Sequence, residues 1–336
     1  MRTLDRVPEL RWVAIGGIMA VGLGYLLIHL AVSPALSIDG RVYAAAARAW
    51  LEGGDPWAVA VQDIRLTAPP PSLLAALPLA LLAPEAAGGV SVLIALVAAM
   101  AAVRVARVGW WWLLSIPVLE GVLVGSFDLL ALALVLGAIR GRSGWGALGA
   151  AIATLAKLYA IVPAIFLGRR GAVIAGLVAL VATIPLLPWE LYLQQLPEIS
   201  ARLIQQAGDG IGSPWATPWL VPPTVLALVL IGRRDGAWLL IPALWPATQV
   251  HYSVFMLPVG SPILALVTLL PVPAPAAVAV IALAIARAIQ HRVDPWSWIP
   301  NRWIPRDRGL GTFGAVWNAR NRDPGQVESP SEDAST

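Results

Sequence analysis

The residues best suited to chemistry in this 336-residue chain are single polar side chains set among long apolar stretches. In chain order they are Asp39, Asp128, Lys157, His251 and Tyr252. Carboxylates and imidazoles can transfer protons, and ammonium or imidazolium groups can stabilise a leaving anion. Because the chain has no cysteine, thiolate catalysis, disulfides and Cys-rich metal sites are excluded.

The elements that must position these side chains are helices in a membrane. Hydrophobic residues make up 58% of the chain and charged residues 12%, and the mean hydropathy of +0.76 is typical of integral membrane proteins. Several apolar segments fall short of the ~20 residues of a straight span, so some should be broken or re-entrant. We expect an all-α, polytopic bundle with about 10–12 transmembrane segments. The candidate segments are 11–32, 71–83, 88–103, 110–124, 126–139, 144–156, 158–168, 171–188, 218–231, 236–249, 252–270 and 273–289.

Arginines predict the orientation, because positive charge favours the cytoplasmic side. Arginines precede the first span and end later ones, which places the loops 33–70 and 189–217 outside a multi-pass cell-membrane protein. The net charge of +4 then favours membrane lipids over nucleic acid as a partner. To keep the chain's end cytoplasmic, one later element around 251–261 should be non-standard. We predict a polytopic domain over 1–290 and a Trp/Arg-rich, interfacial and then disordered tail over 291–336.

The first outer loop predicts a surface helix. Apolar residues recur at helical spacing from Gly40, and Asp39 stands at the N-cap position. Gly53-Gly54 should end this helix, and Asp55-Pro56-Trp57 should form a turn whose indole lies at headgroup level. Asp39 has two interpretations, a helix cap alone or a general base for an incoming hydroxyl.

The other charged candidates also have two interpretations each. Lys157 is either a snorkelling lysine at a helix end or a phosphate ligand, and His251 is either a structural hydrogen-bonding residue or a site residue. Arg65 and Arg202 are solvated charges or contacts to a lipid phosphate. The second outer loop has an amphipathic middle, predicted to be another surface helix, with Leu196, Ile199, Leu203 and Ile204 on one face.

Motif order adds a family resemblance. After Asp39 come "VY", a Gly-Gly-Asp-Pro-aromatic turn, "LTAPPPS", "GSFDLLALAL", "GALGAAIATLAKLYAIVP" and "HYSVFMLP". Over about Met1 to Pro271, this order resembles glycosyltransferase family 87 of the GT-C superfamily, which includes polyprenol-phosphate-mannose-dependent α-1,2-mannosyltransferases.

The resemblance implies an inverting membrane transferase that uses a polyprenyl-phosphate sugar donor, with mannose as the sugar and a lipid-linked or glycan acceptor at the outer face. It implies that Asp39 is the general base and that His251 lies at the active-site end of a late helix. No cofactor and no metal are expected. Candidate ligands for the donor phosphate are Lys157, Arg65 and Arg202, and the candidate substrate-binding residues are Tyr43, Asp55, Trp57, Asp128 and Tyr252.

Two functions of other classes remain open. A lipid or solute transporter, or a flippase, would also be a multi-span protein with a few buried charges. A non-catalytic scaffold of an envelope-assembly complex is the second alternative. Activity that survives replacement of Asp39 would favour the scaffold.

Overall fold

The computed structural model describes residues 8–32, 36–140, 145–206, 212–246 and 248–293. The chain divides into a compact unit Met1–Ile289 and a second unit Gln290–Thr336. From residue 294 onward the predicted tail lies outside the described residues. Residues 207–211 of the second outer loop lie outside them as well.

The described residues are predominantly helical, as the sequence predicts. A two-stranded antiparallel hairpin in the first outer loop, β1 (Ala60–Val61) and β2 (Ile64–Arg65), was not expected. Five segments of the described residues are 3₁₀ helices: Trp110–Leu114, Leu158–Ile161, Pro214–Ala216, Pro218–Leu220 and Val250–Val259. The α-helices are α1 (Pro8–Val32), α2 (Ile38–Leu51), α3 (Pro71–Ala80), α4 (Pro84–Ala106), α5 (Ile116–Val124), α6 (Phe127–Arg140), α7 (Trp145–Ala156), α8 (Val162–Phe166), α9 (Arg170–Ala182), α10 (Trp189–Gln206), α11 (Val221–Ile231), α12 (Arg233–Leu244), α13 (Pro262–Val267) and α14 (Pro275–Val293).

Two described helices are long and apolar enough to cross a membrane, Trp12–Ala31 within α1 and Pro84–Ala106, which is α4. The number rises to three if α5 and α6 count as one broken span, because they are bent by 114° around Ser126. Large apolar side chains lie exposed on α1, α4, α9 and α11, as lipid-facing surfaces require. The structure is therefore that of an α-helical protein with membrane-associated helices.

The other apolar helices are shorter than a straight span. They are Pro71–Ala80, Trp145–Ala156, Arg170–Ala182, Pro218–Ile231, Val250–Val259 and Pro275–Gln290. The expectation of broken segments is therefore met, whereas the count of about 10–12 spans does not follow from helix lengths. The segment expected to be non-standard, around 251–261, is indeed mostly a 3₁₀ helix.

α4 and α6 run between the same two ends of the molecule. Gly40 of α2 approaches Ser91 on α4 closely, and Asp128 lies in the first turn of α6. At the other end, the Arg140 guanidinium that finishes α6 donates to the carbonyl of Val105 near the end of α4. At 1.5 Å per residue, Asp128 and Arg140 are about 18 Å apart along the helix axis.

Small residues bring α2 close to the break between α5 and α6. A Cβ added at Gly40 would stand 1.8 Å from the Ser91 Oγ, and one at Gly125 would stand 2.3 Å from the same atom. Gly125 has a φ of 74°, which glycine adopts without strain. The backbone N–H of Ser37 donates to the Leu123 carbonyl at 2.7 Å. These contacts fix the start of α2 beside the start of α6.

Candidate functional site

A cavity of about 220 Å³ lies between α2, the β2 strand, α10 and the segment that follows α12. Four of the five tyrosines in the chain and its only lysine line this cavity. The polar residues of the lining include Asp39, Tyr43, Arg65, Lys157, Tyr159 and Tyr252. Residues that can bind charge and hydroxyl groups are therefore concentrated in one place.

Asp39 lies in the first turn of α2 and faces this cavity. The predicted N-cap role is wrong, because α2 begins at Ile38 and its N-cap is Ser37, in the left-handed region with no side-chain cap bond. Burial raises the pKa of Asp39 above the ordinary carboxyl value, His251 and Lys157 lower it, and Asp128 raises it further. Asp39 therefore shares one electrostatic environment with the other three charged candidates.

Asp128 is fully buried and is the centre of this group. Its Oδ2 lies 3.2 Å from the Lys157 Nζ, and the same oxygen accepts a hydrogen bond from the Ser126 hydroxyl. Its Oδ1 accepts from the Tyr159 hydroxyl. A carboxylate so fully engaged compensates buried positive charge and holds its donors in place. Asp128 does not line the cavity, so the prediction that it binds substrate directly is replaced by a supporting role.

His251 lies behind the cavity in the 3₁₀ helix Val250–Val259, and it is buried. Its Nε2 is 3.3 Å from the Asp128 Oδ2 but lacks hydrogen-bond geometry. It also packs near α5, since a Cβ added at Gly121 would lie 3.7 Å from the His251 Cβ. The imidazole is therefore in the same buried group as Asp128 and acts on Asp39 through space.

Aromatic rings surround the ammonium group of Lys157. The Nζ lies 5.7 Å from the centre of the Tyr43 ring, 6.0 Å from that of Tyr159 and 5.6 Å from that of Tyr252. Rings at these distances attract a cation through their quadrupoles. Lys157 itself follows the end of α7 and is the N-cap residue of the 3₁₀ helix Leu158–Ile161, so it lies between two helical segments.

No family model, curated protein or solved structure matches this chain. The chemistry of the cavity is therefore inferred from geometry and charge. Among the described residues, no group of three or more His, Asp or Glu side chains could hold a metal ion. The charged centre is made of the Asp39 carboxylate and the Lys157 ammonium at the cavity wall, with Asp128 paired to Lys157 behind the wall.

Two of the predicted substrate-binding residues are structural. Trp57 is fully buried, and its indole N–H donates to the Ala68 carbonyl at 3.0 Å, so it does not lie at headgroup level. Asp55 accepts from the Trp57 backbone N–H at 2.9 Å and from the Gln195 amide at 2.6 Å. Neither residue lines the cavity. Together they fasten the turn after α2 to α10.

The two arginines predicted as phosphate ligands differ in their position relative to the cavity. Arg202 does not line the cavity; it donates to the Trp57 carbonyl at 2.8 Å and lies 3.8 Å from Glu198, so it holds α10 against the turn. Arg65, on β2, is exposed and does line the cavity. Arg65 is thus the arginine of the pair that is placed to meet a ligand.

α10 confirms the amphipathic helix predicted in the second outer loop, although its burial pattern differs. Ile199 is buried and Leu203 lines the cavity, whereas Leu196 and Ile204 remain exposed. The exposed pair is suited to the membrane interface.

Sequence reasoning did not single out Tyr159, Ser126 or Trp245. Tyr159 follows Lys157 by two residues, so the spacing could have indicated that both side chains flank one turn. Ser126 lies two residues before Asp128, a common spacing for a local side-chain bond. Trp245 lines the cavity 5.2 Å from the Tyr159 ring, and only tertiary packing brings them together.

Proposed function

We propose that this protein is a membrane glycosyltransferase that moves a sugar from a polyprenyl-phosphate donor to the hydroxyl group of a lipid-linked or glycan acceptor. One observation carries the proposal: Asp39 and Lys157 line the same cavity, so a carboxylate and an ammonium face one space. Transfer from a phosphate donor requires both a group that takes a proton and a cation for the leaving phosphate.

The reaction proceeds as an inverting displacement. The Asp39 carboxylate accepts the proton of the acceptor hydroxyl while that oxygen forms a bond to the anomeric carbon. The bond between the anomeric carbon and the phosphate oxygen breaks, and its electron pair remains on the polyprenyl phosphate. The raised pKa of Asp39 makes it a better proton acceptor than an ordinary carboxylate, provided that it is ionised.

Lys157 stabilises the leaving phosphate, with His251 behind it and Arg65 at the cavity wall. Negative charge grows on the leaving phosphate oxygen, and positive groups fixed in advance stabilise it most effectively in a water-poor site. Lys157 is buried against Asp128 and three tyrosine rings, so it is held in place before a substrate arrives. His251 and Asp128 belong to the same buried group as Lys157, and they act on the site from there.

The direction of the helices supports an active site on the extracytoplasmic side. α4 and α6 start near the cavity and end in Arg107 and Arg140 at the opposite end of the molecule. Arginines favour the cytoplasmic side, so the cavity belongs at the outer one. The same geometry supports a GT-C-like polytopic bundle in which short helices pair, each pair starting and finishing at the end of the molecule that carries Arg107 and Arg140.

Mannose is proposed as the sugar because of the resemblance to family 87. The cavity supports a sugar more generally, since its lining combines the rings of Tyr159, Tyr252 and Trp245 with hydroxyl and amide groups. Aromatic faces with convergent polar groups suit a ligand that is apolar on its ring face and polar at its edge.

A transporter or flippase is the second candidate, and the buried Lys157–Asp128 pair is the feature that favours it. Ionisable pairs within membrane proteins commonly mark substrate pathways. A transporter would move a polyprenyl-linked sugar across the bilayer without breaking the glycosidic bond.

The deciding experiment uses the full chain purified into lipid nanodiscs with radiolabelled polyprenyl-phosphate sugars, beginning with mannose, and a panel of glycan and lipid-linked acceptors. We expect label to pass to an acceptor, and Asp39→Asn to reduce the rate by about 10²–10⁴-fold, the usual contribution of a general base. Asp55→Asn is the matched control, because it changes a carboxylate on the neighbouring turn that lies outside the cavity. Its rate should remain within about threefold of wild type, since asparagine keeps an oxygen that accepts from the Trp57 backbone N–H and the side chain lies outside the cavity.

Two results would contradict the transferase. One is the absence of transfer to every acceptor by a folded protein that nevertheless binds the donor. The other is transfer that Asp39→Asn leaves unchanged. Movement of intact donor across a vesicle bilayer would then establish the transporter.

A further inference from the structure

Three arginines from three different helices converge at the end of the molecule opposite the cavity. We name this surface the basic end and define it by Arg107, which follows α4, Arg140, which finishes α6, and Arg234, in the first turn of α12. All three are exposed. Arg140 donates to the carbonyl of Val105, two residues before Arg107, which places the ends of α4 and α6 side by side. Arg234 lies close enough to act on Arg140 through space, as Arg107 does. The fold therefore gathers like charges that are distant in the sequence.

Helix dipoles compensate this charge only in part. Arg107 and Arg140 lie at the C-terminal ends of their helices, where a cation is favoured. Arg234 lies at the N-terminal end of α12, where a cation is disfavoured. The carboxylate beside it, Asp235, forms an ion pair with Arg287, whose Nη2 lies 2.5 Å from the Asp235 Oδ2. A convergence of this kind is stabilised by an anion that binds the folded protein.

The surroundings indicate which anion. Trp110 follows Arg107 by three residues and Trp145 follows Arg140 by five, and both indoles are exposed, at 56% and 75%. Tryptophan beside arginine is typical of the membrane–water interface. α9 and α11 present exposed leucine, isoleucine and valine side chains, as acyl chains require. An anion held here is next to lipid.

We propose that the basic end binds the phosphate headgroup of an anionic phospholipid, with the guanidinium groups of Arg107 and Arg234 on the phosphate and Arg140 between them. Guanidinium pairs with phosphate through two parallel hydrogen bonds, which makes arginine better suited than lysine to this contact. Arg140 also holds the end of α6 to α4 through the Val105 carbonyl. A bound lipid would therefore stabilise the two helices that begin beside the cavity. This site does not depend on the reaction proposed above.

The test measures lipid retention and thermal stability of the full chain in neutral detergent with added phosphatidylglycerol or phosphatidylcholine. Native mass spectrometry should show one retained phosphatidylglycerol, and the melting temperature should rise with that lipid alone. Arg234→Gln should weaken retention by about fivefold, the usual effect of one arginine near an anionic surface. The double change Arg107→Gln/Arg234→Gln should abolish the preference. Arg140 is kept, because its backbone bond would confound the result.

Arg41→Gln is the control, since it removes one guanidinium from α2 at the cavity end, where the loss of its bond to the Leu36 carbonyl is remote from the basic end. It should leave the lipid preference unchanged. Equal stabilisation by phosphatidylcholine would overturn the proposal, as would wild-type retention of phosphatidylglycerol by the folded double variant. Stabilisation by inorganic phosphate without lipid, equal to that by phosphatidylglycerol, would also overturn it, because the site would then bind a free ion.

Discussion

Lys157 and Asp128 form a buried ion pair in which the Lys157 Nζ lies 3.2 Å from the Asp128 Oδ2. The two residues are 29 positions apart in the sequence, and the break between α5 and α6 turns the carboxylate toward the end of α7. Because both charges are removed from water, the contribution of each one to the stability of the fold depends on the presence of the other. The pair therefore couples the stability of the fold to the charge available in the cavity.

That coupling can be measured by a double-mutant cycle. Asp128→Asn should destabilise the protein by about 3–5 kcal/mol, since it leaves Lys157 as an uncompensated buried cation. Lys157→Met in the same chain removes that cation, so the double variant should melt at a higher temperature than Asp128→Asn alone. Thermal unfolding in one detergent provides the comparison. Strictly additive losses would show that the two charges do not interact.

The pH dependence of transfer should move in opposite directions in the two single variants. Asp39 must be ionised to take a proton, so activity rises with pH through its pKa, which burial raises above the ordinary carboxyl value. His251 and Lys157 lower that pKa, and Asp128 raises it. Lys157→Met should therefore shift the acid limb to higher pH, and Asp128→Asn should shift it to lower pH.

Initial rates measured across the acid range at saturating donor will show these shifts, at a temperature where both variants remain folded. Asp55→Asn supplies the control, because that carboxylate lies outside the cavity. Acid limbs that move in the same direction in both variants would exclude Asp39 as the group whose ionisation is being observed.

Lys157 offers a direct spectroscopic readout, because it is the only lysine in the chain. Labelling with lysine enriched in ¹³C at Cε should give one side-chain NMR signal. We expect this signal to move when a short-chain isoprenyl phosphate is added and to remain in place with the corresponding alcohol. Lys157→Met should weaken binding of the phosphate by about tenfold or more, the usual loss of a charge-assisted hydrogen bond. Equal responses to phosphate and alcohol would remove Lys157 from the phosphate site.

Helical content and the surface helices were predictable because apolar periodicity is a local property of the chain. α2 ends at Leu51, and only its C-cap, Glu52, separates it from the Gly53-Gly54 pair expected to break it. The irregular segment around His251 agrees with the non-standard element that the orientation of the chain predicts there. The 114° bend between α5 and α6 could be expected only as a broken segment somewhere, since its position depends on Gly125 packing against Ser91.

The errors at the site have a common physical cause. The sequence predicts Asp55, Trp57 and Arg202 as ligand contacts because polar or aromatic residues in an outer loop resemble binding residues. In the fold they bond to one another across 145 positions, as in the Arg202 bond to the Trp57 carbonyl. A loop that must hold a long-range shape uses the same residue types as a loop that binds a ligand, and periodicity does not distinguish them.

The position of Asp39 should depend on a contact that contains no charged group. Gly40→Ala would place a Cβ 1.8 Å from the Ser91 Oγ, so α2 must move away from α4. We expect a loss of about 1–3 kcal/mol, typical of overpacking, together with lower transfer activity because Asp39 moves with α2. Thermal unfolding and transfer rates should fall together.

Removing the opposing side chain should reverse the effect of Gly40→Ala. In Gly40→Ala/Ser91→Gly, the next neighbour of the new methyl group is the Ala87 carbonyl oxygen at 3.4 Å, an ordinary contact distance. Gly89→Ala is the control on α4, two residues before Ser91, because nothing lies within 4 Å of a Cβ there. Recovery of both stability and transfer in the double variant would show that the spacing of α2 and α4 sets the position of Asp39. Wild-type behaviour of Gly40→Ala alone would show that α2 does not pack this closely, and that the carboxylate is held at the cavity by other contacts.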